Sequence, residues 1–364
     1  MPLKILLLSH RFHPDIGGIE VNSEIYAHAF TAAGHEVRVV TWSASLEEDA
    51  FPFVVVRNPS KRTLFREHAW ADVIFENNPC IRLGWPGLFF GRPRVISLNT
   101  EYHNNAAGLV KRAWLKRAAA VISVSEAVRR KCWPGASVIS NPYRSKEFRV
   151  LPEVRRTDDF VFLGRLVSQK GADQAVLAFH RVLRLLDEED HLADGPCLTI
   201  VGDGPERPKL VGLVERLGLT GRVHFVGFLH GEKLVRQLNA HRYLLVPSIY
   251  GEAFGNVVLE GMACGCVPIV SDSDGLPDAA GRAGLVFSRG SVESLAAGIW
   301  RILHDPMLEL QLRQAAPAHL ANHEPEVIAC RYLQVLENAA GYPSEGGTPC
   351  PPVAHNVHSA SSGG

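Results

Sequence analysis

The sequence predicts an α/β protein built from two parallel-sheet domains. Short β-branched and aliphatic runs alternate with amphipathic stretches along the chain, as expected of strands covered on both faces by crossover helices. The 364 residues exceed what one hydrophobic core usually serves. The alternation also breaks near residues 141–158, where a turn dipeptide and a charged stretch interrupt it.

The opening run, 4–9, follows Met1-Pro2-Leu3 and is too short in its apolar part for a secretory signal, so it reads as the first strand. Further strands are expected at 37–41, 53–57, 72–75, 94–98, 120–124 and 137–140. A second set falls at 159–164, 197–202, 222–227, 243–247, 267–271 and 284–287. Stretches such as 21–33, 172–187 and 292–304 repeat apolar residues at helical spacing. The expected layout is a Rossmann-like domain over 1–143, a linker over 144–158 and a second such domain over 159–322. A helix over 323–340 should pack back toward the first domain, and the Pro, Ser and Gly-rich tail at 341–364 should be disordered.

Composition excludes several classes. Hydrophobic residues make up 46% and charged ones 21%, values of a globular protein, and no run nears the roughly 18 apolar residues of a membrane span. Seven scattered cysteines lack paired zinc spacing and read as thiols of a cytoplasmic protein. Net charge is zero, but the first 150 residues carry 20 Lys and Arg against 13 Asp and Glu, and the remainder 18 against 25. A basic first half suits an anionic partner, and no nucleic acid is expected. Within it, Lys111, Arg112, Lys116 and Arg117 surround Leu109, Ala113, Trp114 and Leu115, a pattern for peripheral contact with the inner face of a membrane.

The most informative string is PSIYGEAFGNVVLEGMACGCVPIVS at 247–271. A strand ends, a glycine-containing loop follows, and a helix begins near Gly255. The first amides of that helix, at Gly255, Asn256 and Val257, lack intrahelical partners and with the dipole would seat a phosphate. Glu252 and Glu260 stand eight residues apart, roughly 12 Å at helical rise, enough to reach hydroxyls at both ends of a nucleotide-sugar.

The string from Glu252 through Phe254 and Glu260 to Ala263 resembles the E-x7-E motif of the family-four retaining glycosyltransferases, which have the GT-B fold of two facing Rossmann-like domains about a central cleft. The likeness covers roughly residues 3–340 and is strongest from 160 to 286. It implies that Glu252 contacts the donor sugar and Glu260 the ribose. Arg165 and Lys170, in FLGRLVSQKG at 162–171, resemble the family's diphosphate-binding cations, with Gly164 beside them. Gly202 and Gly204 match a second strand end lining the donor, and Gly17 and Gly18 match the glycine pair after the first strand. Asp278 stands where a Glu is usual, and Ser125 lies in a further matching segment, where it serves equally as a helix cap.

One departure matters. Many relatives carry a His at the end of the strand over 94–98, whereas this chain has Asn99, with Glu101 and His103 following. Asn99 and His103 are therefore both candidate sugar or acceptor contacts. The implied activity is metal-independent, cofactor-free transfer of a sugar from a nucleotide diphosphate donor to an alcohol acceptor, whether glycan, lipid-linked or small molecule. Alternatives are a GT-B sugar-nucleotide epimerase and a non-catalytic nucleotide-sugar-binding protein. A dinucleotide-dependent dehydrogenase is disfavoured because GDGPER at 202–207 lacks the third glycine of its fingerprint, and no P-loop string occurs.

Overall fold

A computed structural model describes residues 2–15, 17–45, 50–102, 106–156, 160–188 and 195–342. The first half runs β1 (Lys4–Leu8), α1 (Gly18–Ala32), β2 (Glu36–Thr41), β3 (Val54–Arg57), α2 (Lys61–Trp70), β4 (Val73–Asn77) and α3 (Ile81–Gly84). It continues through β5 (Arg94–Leu98), α4 (Ala106–Leu115), β6 (Ala120–Ser123), α5 (Glu126–Cys132) and β7 (Ser137–Val138). The second half runs β8 (Phe160–Leu163), α6 (Ala172–Glu188), β9 (Leu198–Val201), α7 (Arg207–Arg216), β10 (Val223–Gly227) and α8 (Gly231–Asn239). There follow β11 (Tyr243–Val246), α9 (Asn256–Ala263), β12 (Val267–Ser271), α10 (Leu276–Ala280), β13 (Leu285–Phe287), α11 (Val292–His304), α12 (Pro306–Ala321) and α13 (Pro325–Ala339).

The strands form two sheets, ordered β3-β2-β1-β4-β5-β6-β7 and β10-β9-β8-β11-β12-β13, with every pairing parallel. Central strands are apolar on both faces, as this arrangement demands: Ile5, Leu6, Leu7 and Leu8 of β1 are all fully buried. Strand order reverses between β1 and β4 in the first sheet and between β8 and β11 in the second. Such switch points leave a crevice at the carboxyl ends of the strands, where ligands of open α/β sheets bind.

Helix α13 packs on α1, β4 and β5. Tyr332 is fully buried there, with its ring 4.5 Å from Tyr26 and its hydroxyl 3.1 Å from that of Ser97. The described part of the expected linker is no free tether. Tyr143, Phe148 and Leu151 are buried in an apolar cluster that also holds Leu98 and Val128 of the first domain and Leu244 and Met262 of the second. Arg156 donates to the carbonyls of His241 and Cys264, each at 2.7 Å, and the Leu151 amide donates to Asn239. Phe148 and Leu151 face inward and these hydrogen bonds strap the segment to the second domain, whereas Val150 is exposed. The tail beyond Tyr342 lies outside the described residues. Cys330 is disulfide-bonded, which corrects the expectation that all seven cysteines are thiols.

Among the described residues no helix is long and apolar enough to cross a membrane.

Candidate active site

Both switch points open onto one cleft. In the second domain the β8–α6 connection carries Gly164, Arg165 and, in a short 3-10 turn over Ser168–Lys170, Lys170. Its backbone is pinned against its neighbours: the Leu166 amide donates to Asp203 and the Ile249 amide to Gln169. Gly202 supports this loop from beneath. It has φ +135°, and a Cβ there would lie 1.9 Å from the Gly164 carbonyl oxygen. Gly204 meets the Leu166 carbonyl in the same way. These two glycines, candidates for lining the donor, thus admit a neighbouring loop. Arg165 is exposed, with no partner for its guanidinium among the described residues.

Glu252 lies in the loop after β11 and is only 8% exposed. Its Oε1 accepts from the Lys170 ammonium and, at 2.9 Å, from the Ser248 hydroxyl. A buried carboxylate must be answered by such partners. The loop that carries it is braced on both sides. The Gly275 amide donates to the Glu252 carbonyl at 2.8 Å, and the Gly251 amide donates to Asp274 at 2.9 Å.

Asp274 also ties the two domains together. It accepts from Lys131 of α5, which in turn donates to Glu101 at 2.7 Å. Asp278 accepts from the Glu126 amide at 2.7 Å, so a second-domain carboxylate sits at the amino end of a first-domain helix. These contacts hold the rim of the cleft beside Glu252.

Gly255 caps α9 at φ +102°, a left-handed conformation that a side chain would strain. Asn256 and Val257 begin the helix, and the Asn256 amide oxygen accepts from Asn141 at 3.0 Å. A Cβ on Gly18 would come within 3.8 Å of the Asn256 side chain, so the Gly17–Gly18 loop faces the start of α9 across the cleft. One turn into α9, Glu260 accepts from Arg144 at 3.0 Å, and the same guanidinium pairs with Glu147 at 2.9 Å and lies over the Phe148 ring. Burial pushes the Glu260 carboxyl above its usual range, and Arg144 pulls it back down. Phe254, a further candidate donor contact, is buried with its ring 5.8 Å from His323, so its side chain packs into the core.

On the first-domain wall, Asn99 is 7% exposed and donates to Asn77 at 2.6 Å. Asn77 in turn donates to Ser23 and to the Ile19 carbonyl in the first turn of α1. The Asn99 amide oxygen is buried with no partner among the described residues. Ser125, a further candidate acceptor or sugar contact, is fully buried and its hydroxyl accepts from the Val128 amide, capping α5. His103 lies outside the described residues.

The structure therefore gathers Lys170, Glu252, Asn256, Glu260 and Gly18 at one cleft. Sequence reasoning missed Arg144, Ser248, Lys131, Asp274 and Asn141. Arg144 had a signal in the charged run after Asn141-Pro142, whereas the cross-domain partners had none. Among the described residues no group of three or more His, Cys, Asp or Glu is gathered as for a metal ion.

Residues 144–319 match the family of glycosyl transferases, group 1. That span contains Lys170, Glu252 and Glu260. A 147-residue stretch is 34% identical to an uncharacterized glycosyltransferase of Methanocaldococcus jannaschii, covering 40% of this chain and 35% of that protein. A 182-residue stretch is 33% identical to the 2-deoxystreptamine glucosyltransferase of Streptomyces kanamyceticus, covering 48% and 45%. The matched part is thus less than half the length of either relative. The crystal structure of Anabaena HepE in complex with UDP and glucose superposes over 92% of this chain and all of that one, with TM-score 0.75 and 19% identity. That likeness extends over both domains, and the fold is GT-B.

Arg144 generates a pH-dependent prediction. A carboxyl whose pKa is raised on folding loses its stabilising contribution as pH rises through the folded value. Arg144→Ala removes the group that lowers Glu260, so the variant should fall further behind the parent as pH rises. Melting curves should give a small gap at about pH 4, where the Glu260 carboxyl is largely protonated, and a wider one at pH 8. A gap that is constant or narrows would refute the pairing.

Proposed function

We propose that this protein transfers a sugar, with retention of anomeric configuration, from a nucleotide diphosphate sugar to an alcohol acceptor. The observation that carries this reading is the Lys170–Glu252 pair beside the amino end of α9, opposite Gly17–Gly18. The family match over 144–319 and the UDP and glucose held by Anabaena HepE support it.

In the unliganded site Lys170 satisfies Glu252. A diphosphate is a stronger partner for the ammonium, so donor binding draws Lys170 toward phosphate and frees the carboxylate to accept from a sugar hydroxyl. Glu260, steadied by Arg144, accepts from the ribose. Arg165 and the first amides of α9, at Asn256 and Val257, complete the anion seat. Negative charge grows on the departing diphosphate, so these fixed donors stabilise the transition state more than the ground state. The reading assigns this task to protein groups and needs neither metal nor cofactor. Glu252 and Glu260 are committed to hydroxyls and Asn99 is no base. The oxygen of the leaving phosphate then takes the proton of the incoming alcohol on the same face of the sugar.

A peripheral contact with anionic lipid accompanies this reading. On α4, Leu109 and Val110 are 66% and 56% exposed beside exposed Arg112 and Lys116, while Trp114 and Leu115 face the core.

Three outcomes are expected. Glu260→Ala weakens UDP and UDP-sugar alike in calorimetric titration, whereas Glu252→Ala spares UDP and damages transfer; equal losses of UDP affinity would refute the assignment. Proton NMR of the first product, made with and without chelator, should give the donor's own anomeric configuration, and an inverted product would overturn the mechanism. Turnover in that assay also separates the enzyme from a protein that only binds nucleotide-sugar, and a glycosidic product separates it from an epimerase. Sedimentation with anionic vesicles at low salt should carry the protein down, less so for a Leu109→Glu, Lys116→Glu variant; no binding at low salt ends the membrane reading.

A further inference from the structure

A recess of about 510 Å³ opens at the carboxyl ends of β1 and β2, lined by His10, Arg11, Asp15, Trp42, Ser43 and Arg82. It adjoins the Gly17–Gly18 loop, whose far side meets Asn256, so it occupies the first-domain wall next to the donor seat. Its chemistry differs from that seat. Arg11 and Arg82 are exposed and have no carboxylate partner among the described residues. Lys111 adds a third positive group: burial, Arg82 and Lys111 together hold the His10 imidazole below its usual range, so a cation field reaches this ring. Two unpaired guanidinia converging on one recess repel each other unless an oxyanion lies between them.

The remaining walls suit a sugar ring. Trp42 is 38% exposed and offers an indole face. Asp15 is fixed by the Ser43 hydroxyl at 2.5 Å, and Ser43 is itself buried and accepts from the Phe12 amide at 2.9 Å. The Arg57 guanidinium holds the Ser43 carbonyl at 3.0 Å. A carboxylate so oriented accepts hydrogen bonds from hydroxyls, a task of little use to a bare phosphate.

We propose that this recess binds the acceptor, and that the acceptor is a phosphorylated sugar whose phosphate monoester lies between Arg11 and Arg82, with its ring on Trp42 and a hydroxyl on Asp15. This deepens the transferase reading and rests on it for the word acceptor. A monoester carries nearly two negative charges at neutral pH, matching two guanidinia, and the excess of Lys and Arg in the first 150 residues fits the same ligand. A free sugar phosphate and a phosphorylated lipid headgroup present the same monoester, and the two arms of the test separate them.

Titration calorimetry tests this without turnover. The full chain, saturated with UDP, is titrated with a panel of hexose and inositol monophosphates and with their unphosphorylated parents. Phosphatidylcholine vesicles with and without phosphatidylinositol 4-phosphate form a second arm. At least one phosphorylated ligand should bind about tenfold or more tighter than its parent, and R11Q and R82Q should each remove about that preference while leaving UDP affinity unchanged. Preference in the soluble panel assigns a free sugar phosphate, and preference only in the vesicle arm assigns a headgroup. Absence of preference in both arms, or preference that survives both substitutions, overturns the proposal. Failure of the parent protein to bind UDP would count instead against the donor reading, so the two fail separately.

Discussion

A carboxylate withdrawn from water needs a cation, and Glu252 finds one in Lys170 from a different loop. Much of the surrounding geometry serves that meeting. The two loops come from adjacent strands at the β8/β11 switch point, so the sheet itself sets their separation. Gly202 and Gly204 let the β8 loop settle onto its neighbour, and Gly275 and Asp274 brace the loop after β11. The pair thereby fixes the two loops against each other.

The two domains share more than a cleft. Lys131 and the amino end of α5 grip Asp274 and Asp278, and the apolar cluster around Phe148 continues from one domain to the other. Lys131 reaches the Gly251 amide only through Asp274, so the orientation of the first domain bears on the loop that carries Glu252. Charge–charge contacts at this exposed rim are individually weak. The apolar cluster around Phe148 is therefore the stronger of the two links between the domains.

Much of the fold was legible because parallel strands covered on both faces leave unbroken aliphatic runs, as in KILLL at the start of the chain. The second-domain loops were legible too, since Glu252, Glu260 and Lys170 lie in strings whose local geometry is dictated by nearby glycines. Less legible were contacts set by distant packing. The Phe254 side chain sits inside the motif yet points into the core, and the Ser125 hydroxyl caps its own helix. The stretch expected as a linker, 144–158, shows little apolar periodicity, so the burial of Phe148 and Leu151 within it has no pattern to announce it. Arg144 and Lys131 act on partners more than 100 residues away, which no local pattern encodes.

Helix α13 carries a consequence for how the chain is made. Tyr332 reaches Ser97 across 235 residues of sequence, and it fills the first domain's core beside Tyr26 and Phe75. At about 5–20 residues per second of synthesis, the ribosome needs on the order of 10–50 s to pass from one side of that contact to the other. Within that interval the first sheet gains its remaining strands, β6 and β7, but stays open on the face α13 will cover. The second domain emerges whole within the same interval and closes on its own apolar cluster. The natural order of maturation is therefore inverted: the half of the molecule translated second is the first that can finish folding, and the half translated first waits, with Tyr26 and Phe75 uncovered, for α13 to leave the exit tunnel.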